Sequence, residues 1–190
     1  MCHDRISLLC RILILTAVFL LIPAGNLSAG EQNDWRVGAG LELFPSLLAA
    51  DIDIAGKSGS DGRLLLVLVC PDRKDRAEEA ALELKKIGQI RGIPIRIELT
   101  QDTAFKEYEH TKAAGIFLIS PLGDEFESLV RYGRAHQTIV FSPFEGDVER
   151  GASGGILISD RILPYLNMES LRLSKIRIKP FFLRIAEQYE

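Results

Sequence analysis

Apolar positions along the chain follow two alternating rhythms, one of strands and one of helices. Leu64 to Cys70 is an unbroken apolar run, the pattern of a strand covered on both faces. Gly115-Ile116-Phe117-Leu118-Ile119 is a second such run, and Thr138 to Phe141 a third. Ile93, Ile95, Ile97 and Leu99 alternate with Pro94, Arg96 and Glu98, so this strand has a polar face, and Pro94, which lacks an N–H, places it near a sheet edge. Between the strands lie stripes of helical period. Leu41, Phe44, Leu47 and Leu48 form one within residues 38–54, where Pro45 predicts a kink or restart. Ala77, Ala80, Ala81, Leu84 and Ile87 form the next, behind Asp75-Arg76-Ala77-Glu78, which reads as a capping box. Phe126, Leu129 and Val130 form the third, behind a similar cap signature at Asp124-Glu125.

Strands joined through helices pair in parallel, with the second strand lying outside the first. The fold class is therefore α/β, a three-layer sandwich with a mostly parallel central sheet. The rhythm changes near the end. Gly155 to Ile158 and Ile162 to Leu166, separated by Ser159-Asp160-Arg161, read as a C-terminal β-hairpin. Asn167 caps a short helix from Met168 to Leu173, Lys175 to Ile178 suits a strand, and Pro180 opens a closing helix through Phe182, Leu183, Ile185 and Ala186.

The first thirty residues follow neither rhythm. Arg5 and Arg11 precede an apolar run from Ile12 to Ile22, and Leu27-Ser28-Ala29 ends in small residues, so residues 1–29 read as a secretory signal peptide cleaved after Ala29. The apolar run falls short of the roughly 20 residues of a membrane span. Residues 30–190 form one domain, and the expected location is the periplasm. Cleavage takes Cys2 and Cys10 and leaves Cys70, so no internal disulfide forms and the core alone must hold the fold.

Composition narrows the function classes. Lys and Arg number 23 against 26 Asp and Glu, a formal charge of −3, and 47% of residues are hydrophobic, which fits a globular domain and argues against nucleic acid as a partner. The local motifs for chemistry are each incomplete. Gly151-Ala152-Ser153-Gly154-Gly155 matches a nucleophile elbow, yet no histidine follows Ser153, so a glycine turn feeding a strand is the simpler reading. Gly56-Lys57-Ser58 ends like a phosphate-binding loop, but Asp51 stands where that motif needs glycine. Asp51-Ile52-Asp53 begins like a calcium loop that Ala55 and Gly62 break, and His110 and His136 have no partners at zinc-ligand spacing. No catalytic residue, metal site or cofactor is assigned.

From Gly115 onward the order of features resembles the YfiR-like family of exported bacterial proteins. The resemblance is carried by Gly115-Ile116-Phe117-Leu118-Ile119-Ser120, Thr138-Ile139-Val140-Phe141-Ser142, Gly154-Gly155-Ile156-Leu157-Ile158, Leu166-Asn167, and Ile176-Arg177-Ile178 leading to Phe182-Leu183-Arg184-Ile185-Ala186. Lys179-Pro180 and Ser142-Pro143 depart from its usual pairs, and Ala114 stands where many members have cysteine, so a disulfide switch is not carried over. The resemblance implies a non-enzymatic periplasmic regulator that binds the exported domain of an inner-membrane signalling protein, such as a diguanylate cyclase or sensor kinase, and influences cyclic-di-GMP and biofilm formation. A homodimer is compatible with that role.

Two functional expectations follow. For protein contact, the segment Pro143 to Arg150 offers Phe144, Glu145, Asp147 and Arg150 as partner-binding residues, against the alternative that Phe144 packs back on the sheet. For a single-lobed small-molecule-binding protein, Asp72, Ser120 and Ser142 follow the three central strands at the sheet end where open α/β folds bind ligands.

Overall fold

The computed structural model describes residues 29–190, so the expected leader lies outside the described residues except for Ala29. The compact unit is Asn33–Glu190. It is an α/β sandwich around one eight-stranded sheet of order β2-β3-β1-β4-β5-β6-β7-β8. The strands are β1 (Leu64–Val69), β2 (Gln89–Ile90), β3 (Ile93–Thr100), β4 (Gly115–Leu118), β5 (Ile139–Ser142), β6 (Gly154–Ile158), β7 (Ile162–Asn167) and β8 (Glu187–Tyr189). Five of them, in the order β3-β1-β4-β5-β6, run parallel. β2 is antiparallel to β3 and β7 to β6, and β8 runs parallel to β7.

Three helices cover the two faces: α1 (Ala29–Ala50), α2 (Lys74–Ile87) and α3 (Phe126–His136). α1 packs Phe44 against Phe117 and Phe141 at ring distances of 5.4 and 5.7 Å. Side chains alternate across a strand, so Val140 points to the opposite face, and there Gly133 of α3 abuts it. α2 lies on the α1 side, where Arg73 and Arg76 reach Asp34. No helix among the described residues is long and apolar enough to cross a membrane.

The structure corrects several local expectations. α1 runs unbroken through Pro45 and begins well before Gly38. α2 starts at Lys74, so Asp75 lies inside its first turn, and no side chain caps it; Ile87 is 42% exposed at the C-terminus, where the stripe has turned away from the sheet. α3 is entered through a 3-10 turn, Gly123–Glu125, without a side-chain cap. Residues 175–178 contribute only a bridge between Ile178 and Asp51. The closing helix is a single turn, α5 (Pro180–Leu183), after which Glu187–Tyr189 extends as β8, because pairing with β7 satisfies backbone groups that a short exposed helix would leave to water. The hairpin β6–β7 and the Asn167 cap of α4 (Met168–Leu173) stand as expected, the Asn167 side chain accepting from the Ser170 amide at 2.7 Å.

Gly154 joins Gly155 in β6, so the glycine turn read before the strand ends at Ser153. A Cβ on Gly155 would lie 2.4 Å from the Ser142 carbonyl oxygen, and one on Gly154 would lie 2.7 Å from Leu47 of α1. These glycines let strand meet strand and helix meet sheet.

Candidate functional site

Parallel strands place their carboxyl ends along one rim, and the chain leaves β1 toward β3 but β4 toward β5, so the connections diverge between β1 and β4. The three residues expected at this rim are there, but not as one cluster. The Ser120 hydroxyl donates to Asp72 Oδ1 at 2.6 Å, bridging the ends of β4 and β1. Ser142 is buried and donates instead to Asp147 Oδ2 at 2.6 Å, while accepting the Phe144 amide at 3.2 Å. α1 reaches the same rim, since Gly40 packs against Phe117, Phe141 and Pro143. Arg36 donates to the Pro143 carbonyl at 3.2 Å, and Arg73 pairs with Asp34 at 2.6 Å.

The segment from Pro143 to Arg150 is built around Asp147. Burial pushes its carboxyl up, opposed by the Ser142 hydroxyl and by Arg150, whose Nη1 lies 3.1 Å away. Arg150 also donates to the Gly123 carbonyl and lies over the Phe126 ring at 4.9 Å. The Asn167 amide group donates to the Val148 carbonyl at 2.7 Å, and the Ser170 hydroxyl to the Gly151 carbonyl at 2.8 Å. Of the four residues expected to meet a partner, Phe144 and Asp147 therefore point inward, and Glu145 and Arg150 remain on the surface. Ser153 is buried, with its oxygen accepting the Val140 amide at 3.2 Å.

These constraints leave a cleft of about 160 Å³ between the start of the compact unit and the hairpin. Its walls include Arg36, Phe144, Glu149, Ile156, Ile158 and Tyr165. At one side Arg36 pairs with Glu145 at 3.0 Å; at the other the Tyr165 hydroxyl donates to Glu149 at 3.1 Å, and burial first, then that carboxylate, push the phenol up. Arg36, Ile156, Ile158 and Tyr165 carry no local sequence signal for binding. Arg36 meets Glu145 across 109 positions, and the two isoleucines read simply as strand residues.

The opposite rim holds a shallower depression of about 370 Å³ beside His110, Lys112 and His136. His136 stacks on Tyr132 at 4.0 Å and places its two ring nitrogens 3.0 and 3.2 Å from the Tyr132 and Glu109 carbonyls, which ties the end of α3 to the preceding loop. Cys70 is buried, its thiol pushed up by burial, and it donates to the Thr100 carbonyl at 3.6 Å. Among the described residues, no group of three or more His, Cys, Asp and Glu side chains is placed to hold a metal ion.

No family model and no curated protein matches the chain. Eleven chains of known structure match. One is the ABC domain in complex with L-Trp from Streptococcus pneumonia, at 12% identity and a TM-score of 0.53, covering 80% of this chain and 60% of that one. Another is a conserved domain protein from Vibrio cholerae O1 biovar El Tor strain N16961, at 16% identity and a TM-score of 0.54, covering 79% and 58%. The chain spans about three-fifths of the length of these two structures, and at such identities what it shares with them is the fold.

Proposed function

We propose that the protein is a non-enzymatic, single-lobed module that binds a small molecule, exported to the periplasm by the leader at residues 1–29, and that its site is the cleft between Arg36 and Tyr165. The observation that carries this reading is a cleft at the carboxyl end of an open α/β sheet, where apolar side chains such as Phe144 and Ile156 meet the charged groups of Arg36, Glu145 and Glu149. The fold likeness to a domain solved with L-Trp supports the same class of role. A drug-sized ligand needs roughly 300 to 1,000 Å³, so this cleft suits a smaller and partly exposed molecule. Calorimetric titration of the purified protein with L-tryptophan, other amino acids and short branched acids tests it. Saturable binding that Ile156→Asp abolishes, with the circular dichroism spectrum retained, is the expected result. The reading falls if no compound in that panel binds.

A second reading is regulation by contact with the exported domain of an inner-membrane signalling protein, in keeping with the YfiR-like order of features. It is favoured by the arm that β6 and β7 form beyond their neighbours. Ile156 to Ile158 continue past the pairing with β5, and Ile162 to Pro164 precede the pairing with β8. Ile158 and Ile162, opposite each other in register, are 37% and 40% exposed. The two readings combine if ligand in the cleft changes which arm position is favoured, because only differential binding shifts such an equilibrium. In pull-downs from envelope extract, wild type is expected to recover an inner-membrane signalling protein that Ile158→Ser with Ile162→Ser does not; recovery undiminished by the two substitutions, or no such protein recovered by wild type, dismisses this second reading.

A further inference from the structure

The ion pair at the cleft is lopsided. The Arg36 side chain is 10% exposed, whereas Glu145, its partner at 3.0 Å, is 87% exposed. The guanidinium is a built-in feature: Nη1 is held by the Pro143 carbonyl at 3.2 Å, in a stretch of α1 that packs on the sheet through Val37 and Gly40. The carboxylate is held by little besides the hydrogen bond it accepts from Arg36 Nη2 at 3.0 Å, and a pair with one solvated partner contributes little to stability. A fixed, nearly buried Arg facing a cleft through a loosely held carboxylate is therefore poised to exchange that carboxylate for another, and a planar guanidinium favours a planar carboxylate as the replacement.

Resting on the cleft reading above, we infer that Glu145 is an internal stand-in for the ligand, and that the ligand class is a small monocarboxylate with an apolar body. The incoming carboxylate takes the Arg36 position that Glu145 now fills, and the body lies against Phe144, Val148 and Ile156. The far side is closed by Glu149, 3.1 Å from the Tyr165 hydroxyl, which repels a second negative group and so disfavours dicarboxylates. Glu145 then acts as a competitor that sets the affinity and swings outward into water, where it already largely resides, when the site fills.

The experiment compares isovalerate with its uncharged isostere isovaleramide, and with inorganic phosphate, on the full protein and on Glu145→Gln by calorimetry. Removing the competitor is expected to tighten isovalerate by up to about fivefold, the size of an exposed ion pair, and to leave isovaleramide unchanged. Arg36→Gln, which removes the charge and is checked for fold by circular dichroism, is expected to erase the preference for isovalerate over isovaleramide. If the amide binds as well as the acid, if Glu145→Gln leaves isovalerate affinity unaltered, or if phosphate binds more tightly than isovalerate, the carboxylate assignment is wrong while the cleft reading stands. If isovalerate and isovaleramide fail while another compound of the wider panel binds, the carboxylate assignment is wrong and the cleft reading stands; if nothing in that panel binds either protein, the cleft reading is wrong and this inference goes with it.

Discussion

Lys57 and Asp51 illustrate what burial does to a charge. Their side chains are 6% and 0% exposed and lie 2.6 Å apart, Nζ to Oδ2. Loss of water pushes the ammonium down from its ordinary value, with Asp51 opposing that shift. Asp51 also receives the Asp53 amide at 2.9 Å, so the pair fixes the turn that leaves α1. Removing one member strands the other, and Lys57→Met is expected to cost about 3–5 kcal/mol in chemical denaturation. Asp51→Asn with Lys57→Met should recover most of that loss, since the amide oxygen keeps the Asp53 bond and no buried charge is left.

Asp147 works in the other direction. Its folded carboxyl holds a proton more tightly than an unfolded one, so the native state binds more protons between the ordinary aspartate value and the raised one. Stability contributed by this group is complete below that window and is lost as pH rises through it. The stability of wild type minus that of Asp147→Asn, measured by urea titration from about pH 3 to about pH 7, is therefore expected to fall with rising pH. A difference that rises instead would mean that the Ser142 and Arg150 interactions outweigh burial.

Among elements, the contacts of β6 are the least forgiving. Gly155 faces a neighbouring strand's carbonyl oxygen, which cannot move without breaking the sheet, whereas Gly115 of β4 faces the ends of Leu48 and Phe44, with a Cβ there 2.7 and 2.8 Å from them. Overpacking against side chains costs about 1–3 kcal/mol. Gly115→Ala is expected to fall in that range and Gly155→Ala to exceed it, the order being read from thermal unfolding midpoints. The sheet's other flank shows how an edge is protected. β2 covers only Ile93 and Pro94 of β3, and beyond them Arg96 and Glu98 form an ion pair along the edge, also near Asp61. Charges and a proline there discourage pairing with other chains.

For the whole molecule, net charge and the arrangement of layers decide which partners are excluded. With 23 basic and 26 acidic side chains, the protein is expected to pass through a heparin column at physiological salt, and retention there would require a basic face that the charge balance does not suggest. A sheet covered by helices leaves its rims and the β6–β7 arm as working surfaces, which is why the proposed functions converge on the carboxyl rim.

The strand and helix pattern was legible because burial on both faces writes continuous apolar runs such as Leu64–Val69, and a helix on a sheet writes a stripe such as Ala77, Ala80, Ala81 and Leu84. The hairpin and the Asn167 cap were equally local, each set by a few neighbouring residues. Helix ends were less legible: an acidic residue reads the same whether it caps a helix, as expected at Asp75, or sits within the first turn, as it does there. β8 was missed because Phe182, Leu183, Ile185 and Ala186 carry helical spacing, and only β7 offers the edge that draws Glu187–Tyr189 into the sheet. The candidate site was barely legible. Sequence places Asp72, Ser120 and Ser142 at one rim because strand order follows from connection rules, but it does not say that Ser142 turns to Asp147 or that Phe144 turns inward. Arg36, Glu145 and Tyr165 come together from distant parts of the chain. Periodicity, a local property of the chain, fixed the layers; the meeting of one guanidinium with one carboxylate depends on how those layers pack, and tertiary structure alone decided it.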